Sequence, residues 1–514
     1  MSLSKVLTGA LSGCDGFLIE VEACLTRGLP AFSTVGLPDV AVKESRERVM
    51  AAILNSGFSF PSKRLTVNLA PAGVRKEGAS FDLPISIGIL AVSGQLAADK
   101  LSEYIILGEL ALDGRLRPVR GVLPVAIAGK ENGVNGIIVP HRNAEEASIV
   151  DGVETVPVRN LKEVVEFLSG RISRNELLTK VRPRAAEPET ENEDMSDIRG
   201  QEYAKRALEV AAAGGHNVLM IGPPGAGKTM LARRLSSVLP PLTKEENLEV
   251  TKIYSVAAKL GKLGSTGLRR PFRSPHHTTS DAGMIGGGRL AGPGEISLAH
   301  RGVLFLDELP EFKRNVLESL RQPLEEGRVL VTRAAYAVTF PCSTMLVAAM
   351  NPCPCGYLGD ETRECRCTPL QITNYLGRLS GPLIDRIDIH IHVRPPRFGE
   401  LLGRASGETS ELIRERVGTA RGRQEARFGN DGRAVTNSAM NENDISKFVP
   451  LGSDSQELLR AAFSRLGLSA RAYHRILKVA RTIADLAGSD KVMVQHVSEA
   501  IQYRSLDFLH TSAL

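Results

Sequence analysis

The sequence predicts an α/β protein of more than one unit: a mixed domain of about 170 residues, a core built on a parallel sheet, and a small helical domain at the end. Three observations predict this. Short apolar runs bounded by Gly and acidic residues, NVLMIG (217–222) and GVLFLDE (302–308), have the pattern of strands buried on both faces of a parallel sheet, and helical patterns separate them. A stretch at 181–196, VRPRAAEPETENEDMS, carries two Pro and five acidic residues and leaves almost nothing to bury, which reads as a solvated linker. From about Phe398 onward strand patterns stop and amphipathic helical patterns remain. The boundaries expected are therefore 1–180, 197–397 and 398–514.

Each unit has its own signals. In the first, LTVNL (65–69), YIILG (104–108) and GIIVP (136–140) read as strands, and 39–57 as a helix with Asp39 as N-cap and Gly57 as stop. In the last, RVGTARGRQEARF (416–428) and SARAYHRILKVARTIADL (469–486) read as amphipathic helices, the basic run 414–427 being a solvated face.

Composition narrows the function classes. At 514 residues the chain is roughly 3.4 times a 150-residue domain, so two or three cores are expected. Hydrophobic residues at 42% and charged residues at 24% exclude global disorder, collagen-like repeats and a membrane-dominated chain. No apolar run approaches the roughly 18 to 20 residues that span a bilayer, and Gly13 and Asp15 interrupt the start before a signal-peptide core could form. The expectation is a cytoplasmic protein without a membrane partner. Sixty-four basic against 58 acidic residues give +6, a surplus that permits a polyanionic partner without requiring one. With 4% aromatic residues and no Trp, a nucleic acid would be held by its phosphates and not by base stacking.

The sharpest motif is GPPGAGKT, 222–229, placed between the strand run 217–221 and the helical pattern MLARRLSSVL. That strand, loop, helix context is what a phosphate-binding loop requires. Gly222, Gly225 and Gly227 let the chain curl through Pro223, Pro224 and Ala226 so that backbone N–H groups and the helix start at Met230 face phosphate oxygens. Lys228 would neutralise the outer phosphates of ATP, and Thr229 would offer its hydroxyl to Mg²⁺. A second motif agrees: Asp307 and Glu308 end an apolar strand run, where the first can hold Mg²⁺ through water and the second can activate a water for attack on the γ-phosphate.

Together these residues resemble the AAA+ ATPases. DIRGQEYAKRAL (197–208) is similar to the segment bordering the adenine there, which puts Ile198 and Gly200 near the base. By the same resemblance Asn351, in LVAAMNP, is the sensor-1 residue that helps hold the attacking water, although it could also be a turn residue before Pro352. RLSGPLIDRIDIHI resembles the segment carrying a trans-acting arginine in the Mg-chelatase and MCM-like branch and points to Arg386, with pairing to Asp385 or Asp388 as the plain alternative. Arg471 matches the sensor-2 position, and Arg475 lies one turn later on the same face. The run FRSPHHTTSDAGMIGGGRLAGPGEISLAHRGVLFLDELPEF resembles the signature of the Mg-chelatase-like proteins of the ComM/YifB type, and the likeness extends over the whole chain. It implies a Lon-protease-like (S5 domain 2-like) first domain, an AAA+ core with a parallel sheet and a helical C-terminal lid. It further implies a hexameric ring that works as an ATP-driven helicase in branch migration, acting on single-stranded and branched DNA alongside recombination proteins. A motor subunit of the chelatase kind without DNA, or an ATP-dependent protease, are the rivals.

The protease reading meets an obstacle in the sequence. RKEGASFDLP (75–84) lines up with the Lon nucleophile segment at Ser80, but Val125 stands where Lon has its lysine, so the Ser–Lys dyad is broken. Lys76 and Lys130 fall off the motif. The domain is expected instead to be a collar for assembly and DNA contact. NPCPCGYLGDETRECRCTP places Cys353, Cys355, Cys365 and Cys367 as two C-x-C pairs; four thiolates can close a tetrahedral Zn²⁺ site, and reduced thiols in a surface loop are the alternative. The Gly-rich stretch 282–294 and the hairpin pattern GRVLVTRAAYAVTF (327–340) correspond to pore-facing insertions of this AAA+ branch, so Arg289, Arg328 and Arg333 are candidate phosphate contacts. His276 and His277 read as a loop pair before they read as metal ligands.

Overall fold

The computed structural model describes residues 2–37, 39–72, 76, 78–179, 193–260, 269–288, 291–332, 337–360, 363–396, 407–429, 436–466 and 468–504. The first unit is a seven-stranded mixed sheet. Its strands are β1 (Ser2–Ser12), β2 (Asp15–Thr26), β3 (Ala31–Val35), β4 (Arg64–Ala70), β5 (Tyr104–Ile106), β8 (Gly136–Pro140) and β9 (Glu154–Val158), with a separate short pair β6 (Glu109–Leu110) and β7 (Leu116–Arg117). The order is β3-β4-β2-β1-β5-β8-β9. The readings 65–69 and 136–140 fall within β4 and on β8, and 104–108 overruns β5 by two residues. The helix Val40–Asn55 is capped by the Asp39 carboxylate, which accepts from Val42 N, and Gly57 follows at φ 85°. The long β1–β2 hairpin had no sequence reading. Its buried face includes Ser4 and Thr8, whose hydroxyls donate to Gly88 O and Ile106 O at 2.7 Å. Polar residues satisfied in this way occupy core positions and blur the alternation that marks a strand.

The second unit is a five-stranded sheet of β10 (Val218–Ile221), β11 (Phe272–Arg273), β14 (Val303–Leu306), β17 (Met345–Met350) and β18 (Ile389–His392), in the order β11-β14-β17-β10-β18 with every pairing parallel. Both faces are covered. Val218, Met220, Val303, Phe305, Val347 and Ala349 pack on one side, while Leu219, Ile221, Leu304, Leu306, Leu346 and Ala348 pack on the other. Two antiparallel pairs accompany it: β12 (Gly286–Gly287) with β13 (Gly292–Pro293), and the hairpin β15 (Arg328–Thr332) with β16 (Ala337–Pro341), whose Val329, Val331, Val338 and Phe340 join the core on one face of the sheet. β18 had no strand reading, because IHIH buries histidine: His390 is almost fully enclosed.

After β18 the described residues contain helices and no strand: Ser410–Phe428, Glu442–Phe448, Ser453–Leu466, Ala470–Leu486 and Val494–Gln502. These helices share one continuous core with the sheet, Ile413, Val417, Ile476 and Val479 joining Val218 and Val347. Of the expected linker, 181–192 lies outside the described residues, and its final residues must be reassigned. Met195 is buried in that same core, and Asp194 caps the short 3-10 turn Met195–Asp197 while accepting from Ser410 N. A buried methionine and a capping acid anchor the chain where charge alone indicated a tether.

The first unit rests on the second. Glu146 is buried and accepts from Leu123 N and Asn143 Nδ2, each at 3.0 Å, and from the Ser255 hydroxyl; Gly121 N donates to Ser255 O at 3.2 Å. The β1–β2 turn lies on the hairpin, so close that a Cβ on Gly13 would sit 2.8 Å from Val338 Cγ1. Among the described residues no helix is long and apolar enough to cross a membrane.

Candidate nucleotide site

The phosphate loop leaves the carboxyl end of β10, between β17 and β18 in the sheet. Gly222 N donates to Met350 O, and a Cβ on Gly222 would lie 2.2 Å from Val393 O, so the loop can pass between β17 and β18 only as glycine. Gly225 and Gly227 turn it at φ 77° and 85°, and the helix Lys228–Val238 begins there. Ala226 is buried beneath the turn, Pro224 is exposed, and Met230 is 42% exposed on the first helical turn. The Lys228 ammonium donates to Gly222 O at 2.7 Å, Pro223 O at 2.9 Å and Asn351 Oδ1 at 3.1 Å. Burial lowers its pKa, opposed by the Asp307 charge. Three donors held by neutral oxygens are poised for exchange with anionic ones, because a charge-assisted bond to phosphate is the stronger.

Opposite the lysine, the Thr229 hydroxyl donates to Asp307 Oδ2 at 2.7 Å, and Asp307 Oδ1 accepts from Glu308 N at 3.0 Å. Glu308 adopts the left-handed conformation at φ 52°, which turns its carboxylate outward from the strand end; the side chain is 61% exposed. Lys228, Thr229, Asp307, Glu308 and Asn351, far apart in the chain, thus form one connected group. Ile198 is buried beside the loop's helix, and Gly200 at φ 63° is followed by Gln201 at φ 58°. Gln201 Nε2 donates to Ala226 O at 2.7 Å and Arg394 O at 3.1 Å, clamping the loop to the end of β18.

Two residues reach the site that sequence reasoning had set aside or missed. Gln201 carried no motif of its own. His277, read as half of a loop pair, puts Nδ1 3.6 Å from Glu308 Oε2, with its ring on Phe312 and on His276. A histidine four residues past an edge strand has no signal in one sequence, since only the parallel order brings β11 beside β14.

Arg386 and Arg471 do not join this group. Arg386 is nearly buried, its guanidinium 2.5 Å from Glu325 Oε1 and 2.6 Å from Pro382 O, so neither Asp385 nor Asp388 is its partner. Arg471 is exposed and lies 3.9 Å from Asp385. Arg475 instead bonds the fully buried Asp388, which also accepts from Asn217 N and faces His216. Asn217 immediately precedes β10, so this arginine cluster sits at the amino edge of the sheet, a four-residue strand or roughly 13 Å from the loop at the carboxyl edge.

The four cysteine sulfurs converge: their Sγ atoms all lie within 4.8 Å of one another. Arg328 is exposed on β15 and paired with Glu326 at 3.3 Å, whereas Arg289 and Arg333 lie outside the described residues. Val125 is buried in a helix, Val122–Glu131, packed against Gly9 of β1, and so offers no base toward the Ser80 segment; Lys76 is buried and donates to Pro71 O.

A parallel sheet with a glycine loop after β10, paired acids after β14 and a polar residue at the end of β17, the strand between them, defines a P-loop core of the Mg-chelatase kind. Family models agree: that of magnesium chelatase, subunit ChlI, matches 194–401, that of subunit ChlI of Mg-chelatase matches 21–143, and the ChlI C-terminal model matches 407–504. The chain is 46% identical to YifB of Escherichia coli, over 99% of this chain and 98% of that protein, and 45% identical to the competence protein ComM of Haemophilus influenzae, over 98% of each. Lon protease 2 of Bacillus subtilis is 29% identical over 30% of the chain. The chain belongs to the ComM/YifB-type Mg-chelatase-like family.

Proposed function

We propose that the protein is an ATP-hydrolysing ring motor acting on single-stranded and branched DNA, a helicase that drives branch migration in homologous recombination and, in a competent organism, in natural transformation. The observation that carries this reading is the connected group of Lys228, Thr229, Asp307 and Asn351 with Glu308 beside it. Mg²⁺ would be held by Thr229 and Asp307 and would screen charge on the phosphates. Lys228 would give up its carbonyl bonds to the phosphate oxygens, Asn351 would help hold the attacking water, and Glu308 would take its proton. Arg386 and Arg471 stand too far from their own loop to serve it, which favours a role at a neighbour's nucleotide and hence a closed homo-oligomer, hexameric by family resemblance.

The DNA assignment is supported by the competence name of one full-length relative and by the exposed Arg328 on the β15–β16 hairpin. Recombination proteins are the expected partners, the cytoplasm the expected compartment, ATP with Mg²⁺ the expected cofactors, and Zn²⁺ at the thiolate cluster a further one argued below. The first domain would act as the collar. That role fails if residues 1–180 stay monomeric alone and their removal leaves DNA binding and ring assembly intact.

The test is unwinding of branched DNA by wild type and by Glu308→Gln. Wild type should unwind with ATP and the variant should not. ATP turnover that no polynucleotide accelerates would favour the second reading, a chelatase-type motor subunit, which the match to the magnesium chelatase subunit ChlI family also supports.

A further inference from the structure

Cys353 and Cys355 follow Asn351 at the end of β17, and Cys365 and Cys367 return just before Thr368, the N-cap of the helix Pro369–Leu376. The segment between them is short of apolar residues, yet Cys353 is fully buried. The Sγ separations are 3.4 Å for Cys353–Cys355, 3.7 Å for Cys353–Cys365 and 3.6 Å for Cys355–Cys365, and Cys355 N donates to Cys367 Sγ at 3.4 Å. A disulfide would bring two sulfurs to about 2.05 Å. Thiolates at the corners of a tetrahedron with Zn–S bonds of about 2.3 Å stand about 3.8 Å apart, close to what is seen. The loop also touches the nucleotide site. Gly356 turns at φ 87° directly after Cys355, its N–H donating to Cys353 O at 3.0 Å. A Cβ there would lie 2.5 Å from Pro224 Cδ of the phosphate loop and 3.8 Å from Asn351 Cγ.

We propose that the four cysteines hold one Zn²⁺ and that the ion fixes the turn that presses Gly356 against Pro224, so that zinc shapes the phosphate loop. Four protein ligands close the metal, which makes it structural. Tetrahedral sulfur also suits iron, so metal identity is part of the claim. The second half rests on the nucleotide reading above; the first half does not.

Metal analysis of the full chain, purified without added metal, should find one zinc per chain. Iron in its place, or less than about half an equivalent of zinc, overturns the site. The double variant Cys365→Ser, Cys367→Ser should lose zinc and bind ATP, in excess Mg²⁺, about tenfold more weakly or worse. Gly356→Ala guards against a variant that merely fails to fold: it keeps all four thiols and should keep zinc, yet lose ATP affinity to a similar degree. Wild-type affinity in Gly356→Ala overturns the contact as the route. Wild type that carries zinc and binds no ATP overturns that route and the nucleotide reading together while leaving the metal site standing.

Discussion

Under the proposed function turnover depends on Glu308, whose setting would separate binding from chemistry. It touches neither the lysine nor the threonine, so Glu308→Gln should lower kcat by roughly a hundredfold or more while ATP affinity holds. Steady-state ATPase and nucleotide titration check this. Lys228→Ala should instead lose the nucleotide, since its ammonium sits against the loop carbonyls of Gly222 and Pro223 and the Asn351 amide oxygen. Of the acids at the site His277 meets the Glu308 carboxylate, so His277→Ala should lower kcat roughly tenfold with KM little changed. An equal rise in KM would count against a positioning role. The glycine loop and the paired acids were legible in sequence because each directly follows a short apolar strand run, and Asn351 was reached through the family resemblance. His277 and Gln201 were not, because what they touch is set by strand order.

At the scale of elements, the helix Ala470–Leu486 is tied to the sheet by Asp388. The Arg475 charge and the His216 contact hold this buried carboxyl far below the ordinary carboxylate range, despite the opposing cost of burial. Asp388→Ala would leave Arg475 enclosed without its partner and should cost about 3 to 5 kcal/mol in chemical denaturation. A depressed folded pKa means that the stabilisation is present above the unfolded value of 3.8 and fades as pH falls below it. The gap between wild type and variant should therefore stay flat near neutral pH and narrow only in acid. On β15, Arg328→Ala should reduce the slope of log K against log salt for single-stranded DNA by about 0.7 if it contacts one phosphate. An unchanged slope would remove Arg328 from the DNA path.

For the whole molecule, the contact between the first domain and the core runs through Glu146. Removing its carboxylate would strand Leu123 N, Asn143 and the Ser255 hydroxyl, and Glu146→Ala should cost about 2 kcal/mol, seen as a lower thermal midpoint with faster exchange around Ser255. The division into three stretches of sequence is also less sharp in space. Among the described residues the last stretch has no separate core, because its helices cover one face of the same sheet that carries the phosphate loop. A motion of the C-terminal helices is therefore felt at β10 through shared side chains and the Asn217–Asp388 bond.

By itself the sequence determined the local chemistry: where the chain can cradle phosphate, which acids end a buried strand, which four thiols could meet, and where strands give way to helices. Those are matters of spacing along the chain, set by backbone geometry within a few residues. Tertiary structure alone decided which side chains answer one another across strands. It set His277 against Glu308, closed Arg386 on Glu325, buried Met195 and placed the arginine pair at the opposite edge from the loop. The order β11-β14-β17-β10-β18 brings distant segments side by side, and no short-range pattern encodes that order.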